Sequence, residues 1–578
     1  MLIDSTAEAL GSALGASADQ IKVILLLVGA VPLSLAFPYF APSTRSSLIH
    51  FYALLPSALF FCILDLPKGY AEIVADCLAT WVIAKVGVSQ KWGRTMPWLV
   101  FTVVMGHLAV NHIGTFLAKV PGTAFEVTTA QMVLCMKLIS FAWSVYDGQR
   151  PEAELDATQK ASRIDQVPGL LPFLSYALFF PSILAGPAVT YRSYESWTSH
   201  RLFAKEQPSA SSSAKPDPTV IPPGRRRKAL KRFITGVVYL GIFSVYAGSY
   251  GMNKLIDPDF LAKTTFWQRF FQMNLAGFLA RTKYYAVWCI AESAYIISGL
   301  GYNPQTKHYD ASRNVRIRSI ELAPNFKVLL DSWNINTNVW LRECIYKRVA
   351  KKGRKPGFKS TQITFITSAL WHGVNPCYLM TFVLGGFAQS LNRALRAGLR
   401  PFFLPPGALS NPSPSAAPAA TAGVDAVAKN AVAPAKAKVP PPPQTALKTL
   451  YDIGGTVCTL FVLNFAVVPF LLLDVRSSLA AWRAVHFYGL HLVFVPFVLL
   501  NWLGGLATLK RMQKKRDAAA AKPSAGEKKA EEERVRWEKQ EEEKRRRRGE
   551  GVPSMGMDVE HMVEQEEREA RQGAKKEL

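Results

Sequence analysis

Eleven apolar runs of roughly bilayer-crossing length interrupt this chain, at approximately 21–40, 48–66, 70–88, 96–116, 130–146, 168–190, 233–253, 266–300, 361–394, 448–474 and 478–506. Each comes near the ~20 apolar residues that cross ~30 Å of hydrocarbon, and 266–300 is long enough for more than one crossing. The runs lack the period-2 alternation of barrel strands, so helices are the spanning element. The sequence therefore predicts an all-α, polytopic membrane protein of about 11 membrane segments. A mean hydropathy of only +0.10 does not oppose this, because polar inserts and a hydrophilic tail dilute the average.

The organisation expected from these runs is a polar segment 1–20, a membrane domain 21–506, and a charged tail 507–578. Residues 1–20 have no basic n-region, so the first span is expected to act as an uncleaved insertion signal. Flexible inserts are expected at about 203–224, rich in Ser, Pro and Lys, and at 403–446, which includes Pro440-Pro441-Pro442-Pro443. In the tail, Glu531 to Arg548 sets Glu before Arg at i, i+4 with almost no apolar stripe, which predicts a solvated single helix. The final Lys575-Lys576-Glu577-Leu578 matches a dilysine pattern for retrieval to the endoplasmic reticulum, with the tail in the cytosol. The seven cysteines contain no C-x-x-C pair, and neither a zinc site nor a disulfide framework is expected.

The formal charge of +26 lies mostly in the membrane body, since the tail from Lys510 carries about 20 basic and 17 acidic residues. Two runs concentrate it: Arg225-Arg226-Arg227-Lys228-Ala229-Leu230-Lys231-Arg232 and Lys347 to Lys355. Positive-inside bias beside anionic headgroups accounts for such runs. Contact with a phosphate-bearing substrate is the other reading. No basic and aromatic module lies outside the membrane flanks, so nucleic acid is not an expected partner.

Ionisable groups at membrane depth should face a protein interior or an aqueous cavity. The first five runs hold Asp65, Glu72, Asp76, His107 and His112 as such groups beside the polar Asn111, and His107 and His112, five apart, fall on different helix faces. Trp288, Glu292 and Tyr295 share one face; Glu292 either pairs with Arg281 or Lys283 or lines a reaction chamber.

Chemistry concentrates between Leu330 and Phe382. There Asp331-Ser332-Trp333-Asn334-Ile335-Asn336-Thr337-Asn338 precedes a helical stretch, and Trp371-His372-Gly373 follows. A histidine near neutrality can take a proton from a hydroxyl, so His372 is a candidate general base, although a lone His in an apolar run is ordinarily structural. Residues 361–394 would make a helix of roughly 50 Å, too long for one crossing, and Gly373-Val374-Asn375-Pro376 should break it. That break also reconciles the basic flanks before 233, before 361 and at Arg511 to Arg516 with one side of the membrane. A helix broken at membrane depth is tolerated where it is buried in protein or lines a cavity. Asn336, Thr337 or Asn338 can cap the following helix, which leaves Asn334 free to orient a hydroxyl or to donate to an oxyanion.

Trp333-Asn334, Trp340-Leu341-Arg342, and Trp371-His372-Gly373 with Tyr378 and Phe382 resemble the signature of the membrane-bound O-acyltransferase (MBOAT) family. Gly186-Pro187, Tyr191 and Tyr194, then Lys283-Tyr284-Tyr285, Glu292, Gly299-Leu300-Gly301-Tyr302-Asn303 and Lys355-Pro356-Gly357-Phe358 are similar to its fungal lysophospholipid acyltransferase branch. Leu329-Leu330-Asp331-Ser332-Trp333-Asn334 departs from the Phe-Tyr-x-Asp-Trp-Asn type motif of the neutral-lipid branch. The resemblance implies acyl transfer from acyl-CoA to the free hydroxyl of a lysophospholipid in an intramembrane chamber, with acyl-CoA as co-substrate and no cofactor or metal. It implies catalysis by His372 and Asn334, with Trp333, Asn338, Trp340, Glu292, Trp371 and Tyr378 at the substrates. Lys351, Lys352, Arg354 and Lys355 would meet the CoA phosphates. The rival readings are a family member acylating a protein or another alcohol and, from another class, a lipid transporter.

Overall fold

The computed structural model describes residues 2–40, 46–120, 124–199, 201–206, 221–350, 357–406, 445–520 and 525–548. Among them every regular element is helical, apart from one isolated antiparallel bridge between Asn303 and His308. The principal helices are α1 (Leu2–Leu14), α2 (Ala18–Ser34), α3 (Ser46–Ile63), α4 (Pro67–Ser89), α5 (Thr95–Leu117), α6 (Val127–Gly148), α7 (Arg225–Tyr246) and α8 (Phe266–Ser298). They continue with α9 (Ile335–Trp340), α10 (Phe358–His372), α11 (Pro376–Gly398), α12 (Ala446–Ala466), α13 (Val475–Ala484) and α14 (Tyr488–Asn501). The chain forms two compact units, Met1–Leu404 with Pro412–Leu509, and Pro405–Asn411 with Lys510–Leu578. In the second, Ala525–Arg547 is an exposed helix with Glu542–Arg546 and Glu543–Arg547 pairs at 3.3 and 3.1 Å, as the charge spacing predicts. Most of both expected inserts, and the dilysine end, fall outside the described residues; Arg201–Glu206 and Arg400–Phe403, at the insert edges, are 3₁₀ turns.

Fewer helices cross by length and composition than the apolar runs suggest. Among the described residues five are long and apolar enough, Ala18–Tyr39, Thr95–Leu117, Val127–Gly148, Arg225–Tyr246 and Ala446–Leu472, and the pair Val475–Ala484 and Tyr488–Asn501, bent by 84°, makes a sixth if it is one span. The other runs fail for separate physical reasons. α4 carries Lys68, Glu72, Asp76 and Lys85. Run 168–190 is broken into Leu170–Ala177 and Phe180–Ile183. The 266–300 run is one helix, not two, because it holds no proline and a single internal glycine, and its 33 residues extend about 50 Å.

Start and stop signals explain the boundaries. Ser17 and Gln20 form a reciprocal capping box at the start of α2, with bonds of 3.3 and 3.1 Å. Pro67 opens α4 where its missing N–H costs nothing, and Gly299, at φ 93°, closes α8 in the left-handed conformation.

α8 is the shared spine of two aromatic-rich cores. One core joins α2 to α6 with the C-terminal part of α8; the other joins the middle of α8 to α11, α12, α13, α14 and residues 315–329. α7 lies close against α8, where a Cβ on Gly236 would meet Ile290 Cγ1 at 2.7 Å and the Ala286 carbonyl at 2.9 Å. Buried charges are matched by specific partners. Lys137 donates to the carbonyls of Tyr176 and Ala177 and to Ser182 Oγ, which satisfies the broken 170–183 segment. Arg348 grips Asp147 with both guanidinium ends and lies 4.2 Å over the Trp143 ring. Arg281 clasps Glu321 at 2.9 and 2.8 Å and donates to Asn464 on α12.

Candidate active site

The predicted break falls where Gly and Pro place it. α10 ends at His372, and α11 begins at Pro376 behind Asn375, whose side chain accepts from Cys377 N at 2.9 Å. Gly373 sits at φ 148°, and a Cβ there would meet Tyr378 Cε2 at 2.7 Å, so conformation and space both require glycine.

His372 projects from this break into a cage of rings. Tyr378 and Phe382 stack on it at 5.8 and 5.0 Å, Phe470 meets it edge-on at 5.0 Å, and Trp371 packs at 4.7 Å. It is half-buried, and among the described residues neither imidazole nitrogen has a hydrogen-bond partner. His112 lies alongside on α5: its Nε2–H donates to the Trp371 carbonyl at 3.2 Å, tying the residue that precedes the candidate base. A Cβ at Gly373 would come within 3.8 Å of His112 Nδ1. His107 faces the other way, to Asp76 at 2.8 Å and Gln131 at 3.1 Å, as the five-residue spacing requires.

Asn334 is positioned differently. It adopts φ 41°, ψ 58°, a left-handed conformation that asparagine tolerates. It is itself the N-cap residue of α9, which corrects the expectation that Asn336, Thr337 or Asn338 fills that place. Its side chain makes no capping bond because Oδ1 accepts from Asn314 Nδ2 at 3.2 Å, while Nδ2 donates to no described residue. Asn314, buried, organises the whole turn. Its Oδ1 accepts from Asn336 N and Nδ2 at 3.1 and 2.8 Å, and its carbonyl accepts from Ile335 N at 2.9 Å. One flank is tied by Arg316 N to the Ser332 carbonyl at 3.0 Å. Asn338 donates to the Leu330 carbonyl at 2.9 Å, so its amide serves the turn.

Aromatic contacts connect the two segments, with no direct hydrogen bond between Asn334 and His372. Trp340 packs on Trp371 at 5.8 Å, and Trp371 Nε1 donates to the Met132 carbonyl at 2.9 Å. Trp333 meets Tyr284, Tyr285 and Trp288 at 5.6, 5.9 and 5.0 Å.

Glu292 is fully buried, but its partner is Arg232 on α7 at 2.5 Å, not Arg281 or Lys283. Those two are 11 and 9 residues away on the same helix, about 13–17 Å along its axis and beyond side-chain reach. Of the basic run 347–355, Arg348 is committed to Asp147, and Lys347 to Glu343 and Asp156. Lys351, Lys352, Arg354 and Lys355 lie outside the described residues. Asn314 and Phe470 reach the site from 20 and 98 positions away, a distance that no local pattern reports.

Residues 88–416 match the MBOAT, membrane-bound O-acyltransferase family. The lysophospholipid acyltransferase of Schizosaccharomyces pombe is 33% identical over 510 residues, 86% of this chain and 90% of that protein. The lysophospholipid acyltransferase of Saccharomyces cerevisiae is 32% identical over 505 residues, 84% of this chain and 75% of that protein. Human membrane-bound glycerophospholipid O-acyltransferase 1 is 26% identical over 500 residues, covering 85% of this chain and 90% of its own.

Proposed function

The chain belongs to the membrane-bound O-acyltransferase family, and from that premise we propose how it works as a multi-pass lysophospholipid O-acyltransferase with acyl-CoA as its donor. The observation that carries the chemistry is an imidazole held by rings on several sides with both nitrogens unspent.

In this reading the free hydroxyl of the lysophospholipid approaches His372, which takes its proton as the oxygen attacks the thioester carbonyl. The tetrahedral oxyanion forms beside Asn334, whose Nδ2–H groups have no partner among the described residues and so remain available to it. Collapse forms the ester C–O bond and breaks the C–S bond. The proton held by His372 then passes to the departing CoA thiolate. His112 acts indirectly, by fixing the carbonyl of Trp371 and with it the rotation of the following imidazole. Trp340 and Trp371 hold the segments of Asn334 and His372 in register across an intramembrane chamber.

The catalytic body in this proposal is residues 21–506, placed in the endoplasmic reticulum membrane with the charged tail in the cytosol. Purified protein incubated with radiolabelled acyl-CoA and a lysophospholipid should yield labelled diacyl phospholipid and free CoA in equal amounts. Movement of lipid across vesicles without covalent transfer would remove the reading in favour of a transporter.

A further inference from the structure

The basic run at the start of α7 has a use that the proton-transfer machinery does not absorb. Arg225, Lys228 and Arg232 recur at i, i+3 and i+7 and so share a face. Arg232 donates from Nη2 to Glu292 Oε2 at 2.5 Å. The other carboxylate oxygen, Oε1, is buried and has no hydrogen-bond partner. Facing it at 3.9 Å is Nε of Arg313, too far for a hydrogen bond and likewise unpartnered. No described residue accepts a hydrogen bond from the Arg313 guanidinium, although 26% of that side chain is exposed, so its four Nη donors remain unused within the protein. Lys228 lies within electrostatic reach of Arg232, Arg313 and Glu292, and Arg316 within reach of Arg313 and Glu292. Asp310 and Asp331 also face Arg316, but Asp310 accepts from Asn303 and Thr306, and Asp331 pairs with Lys327. Two arginines thus flank one fully buried carboxylate, an excess of positive charge that an anion would neutralise.

The location identifies the anion. Arg313 is the neighbour of Asn314, the residue that holds Asn334, and Glu292 is one helical turn from Trp288, which packs on Trp333. We propose that Arg232 and Arg313, set against Glu292, form a phosphate-ester site that binds the phosphate of the lysophospholipid acceptor while its hydroxyl, at His372, attacks the carbonyl held at Asn334. Within the acceptor only the glycerol separates the two groups, whereas in acyl-CoA a whole pantetheine arm separates the thioester from the phosphates. The planar guanidinium forks suit the two free oxygens of a phosphodiester. The role of Glu292 is to orient both arginines without consuming them. This assignment rests on the acyl-transfer reading above.

The test pairs each substrate with a phosphate-free counterpart: lysophospholipid with monoacylglycerol, and acyl-CoA with acyl-pantetheine. With full-length protein, R313A should raise KM for lysophospholipid about 10–100-fold with kcat within about threefold. The KM for monoacylglycerol and for either donor should stay unchanged. R313K, which keeps the charge and loses the fork, should recover part of the affinity. An unchanged lysophospholipid KM, or a shift confined to acyl-CoA, overturns the assignment. Binding is read separately in H372A protein, from the fluorescence of the tryptophans that flank the site. A loss of lysophospholipid affinity on adding R313A supports the site even where the wild type transfers no acyl group, and equal affinities for lysophospholipid and monoacylglycerol overturn it even where transfer is robust.

Discussion

His372 is held by rings, whereas Asn334 is held by hydrogen bonds. Around the imidazole, Tyr378, Phe382 and Phe470 fix the plane and leave both nitrogens free. Around the amide, Asn314 takes one end and anchors the next two residues as well, so the turn keeps a left-handed residue in place. The difference fits the two tasks proposed for them. A base must offer a lone pair to a proton that arrives with substrate, and a stacked ring restricts its tilt without competing for that proton. An oxyanion donor must be rigid before charge develops, and a bonded amide carbonyl orients the N–H groups at its other end.

The largest expected effect comes from breaking the ring-held side. H372A should lower the rate of acyl transfer about 10²–10⁴-fold while protein yield and monodispersity stay at wild-type levels, since the imidazole carries no hydrogen bond that folding needs. A rate within tenfold of wild type would move the base elsewhere. Next is the amide itself. N334G keeps the left-handed backbone and removes the donor, and it should cost about 10²-fold in kcat, measured at saturating substrates.

A smaller effect separates orientation from chemistry. N314A leaves the turn with unpaired groups, so it should lower stability by about 1–3 kcal/mol in chemical unfolding and reduce kcat about tenfold. Wild-type values for both would show that the asparagine lattice does not hold Asn334. The smallest effect is expected outside the site. Removing Lys510–Leu578, which belongs to the second compact unit, should leave kcat/KM within about twofold, and a larger loss would make the tail part of the catalytic body.

What could be read in advance follows the range of the forces involved. The helix break after His372 was visible because Gly373 and Pro376 act on their own backbone. The one-sided grouping of Trp288 and Glu292 was visible because helical spacing is local. The partner of Glu292 was not, since Arg232 lies 60 positions upstream on another helix and only packing of α7 against α8 brings it there. The capping of α9 was misread for the same reason: Asn334 would ordinarily cap with its side chain, but Asn314, 20 positions away, occupies it. Fewer described helices than apolar runs are long and apolar enough to cross, because apolar content does not report where Pro, charged residues and a bend interrupt a run.

In the proposed mechanism these two differently held groups act on one transition state. Single-turnover acyl transfer in H372A, N334G and the double variant tests it most directly. The double variant should be no more than about threefold slower than H372A alone, because groups that serve one step lose together. Losses that multiply fully across the two sites would contradict it.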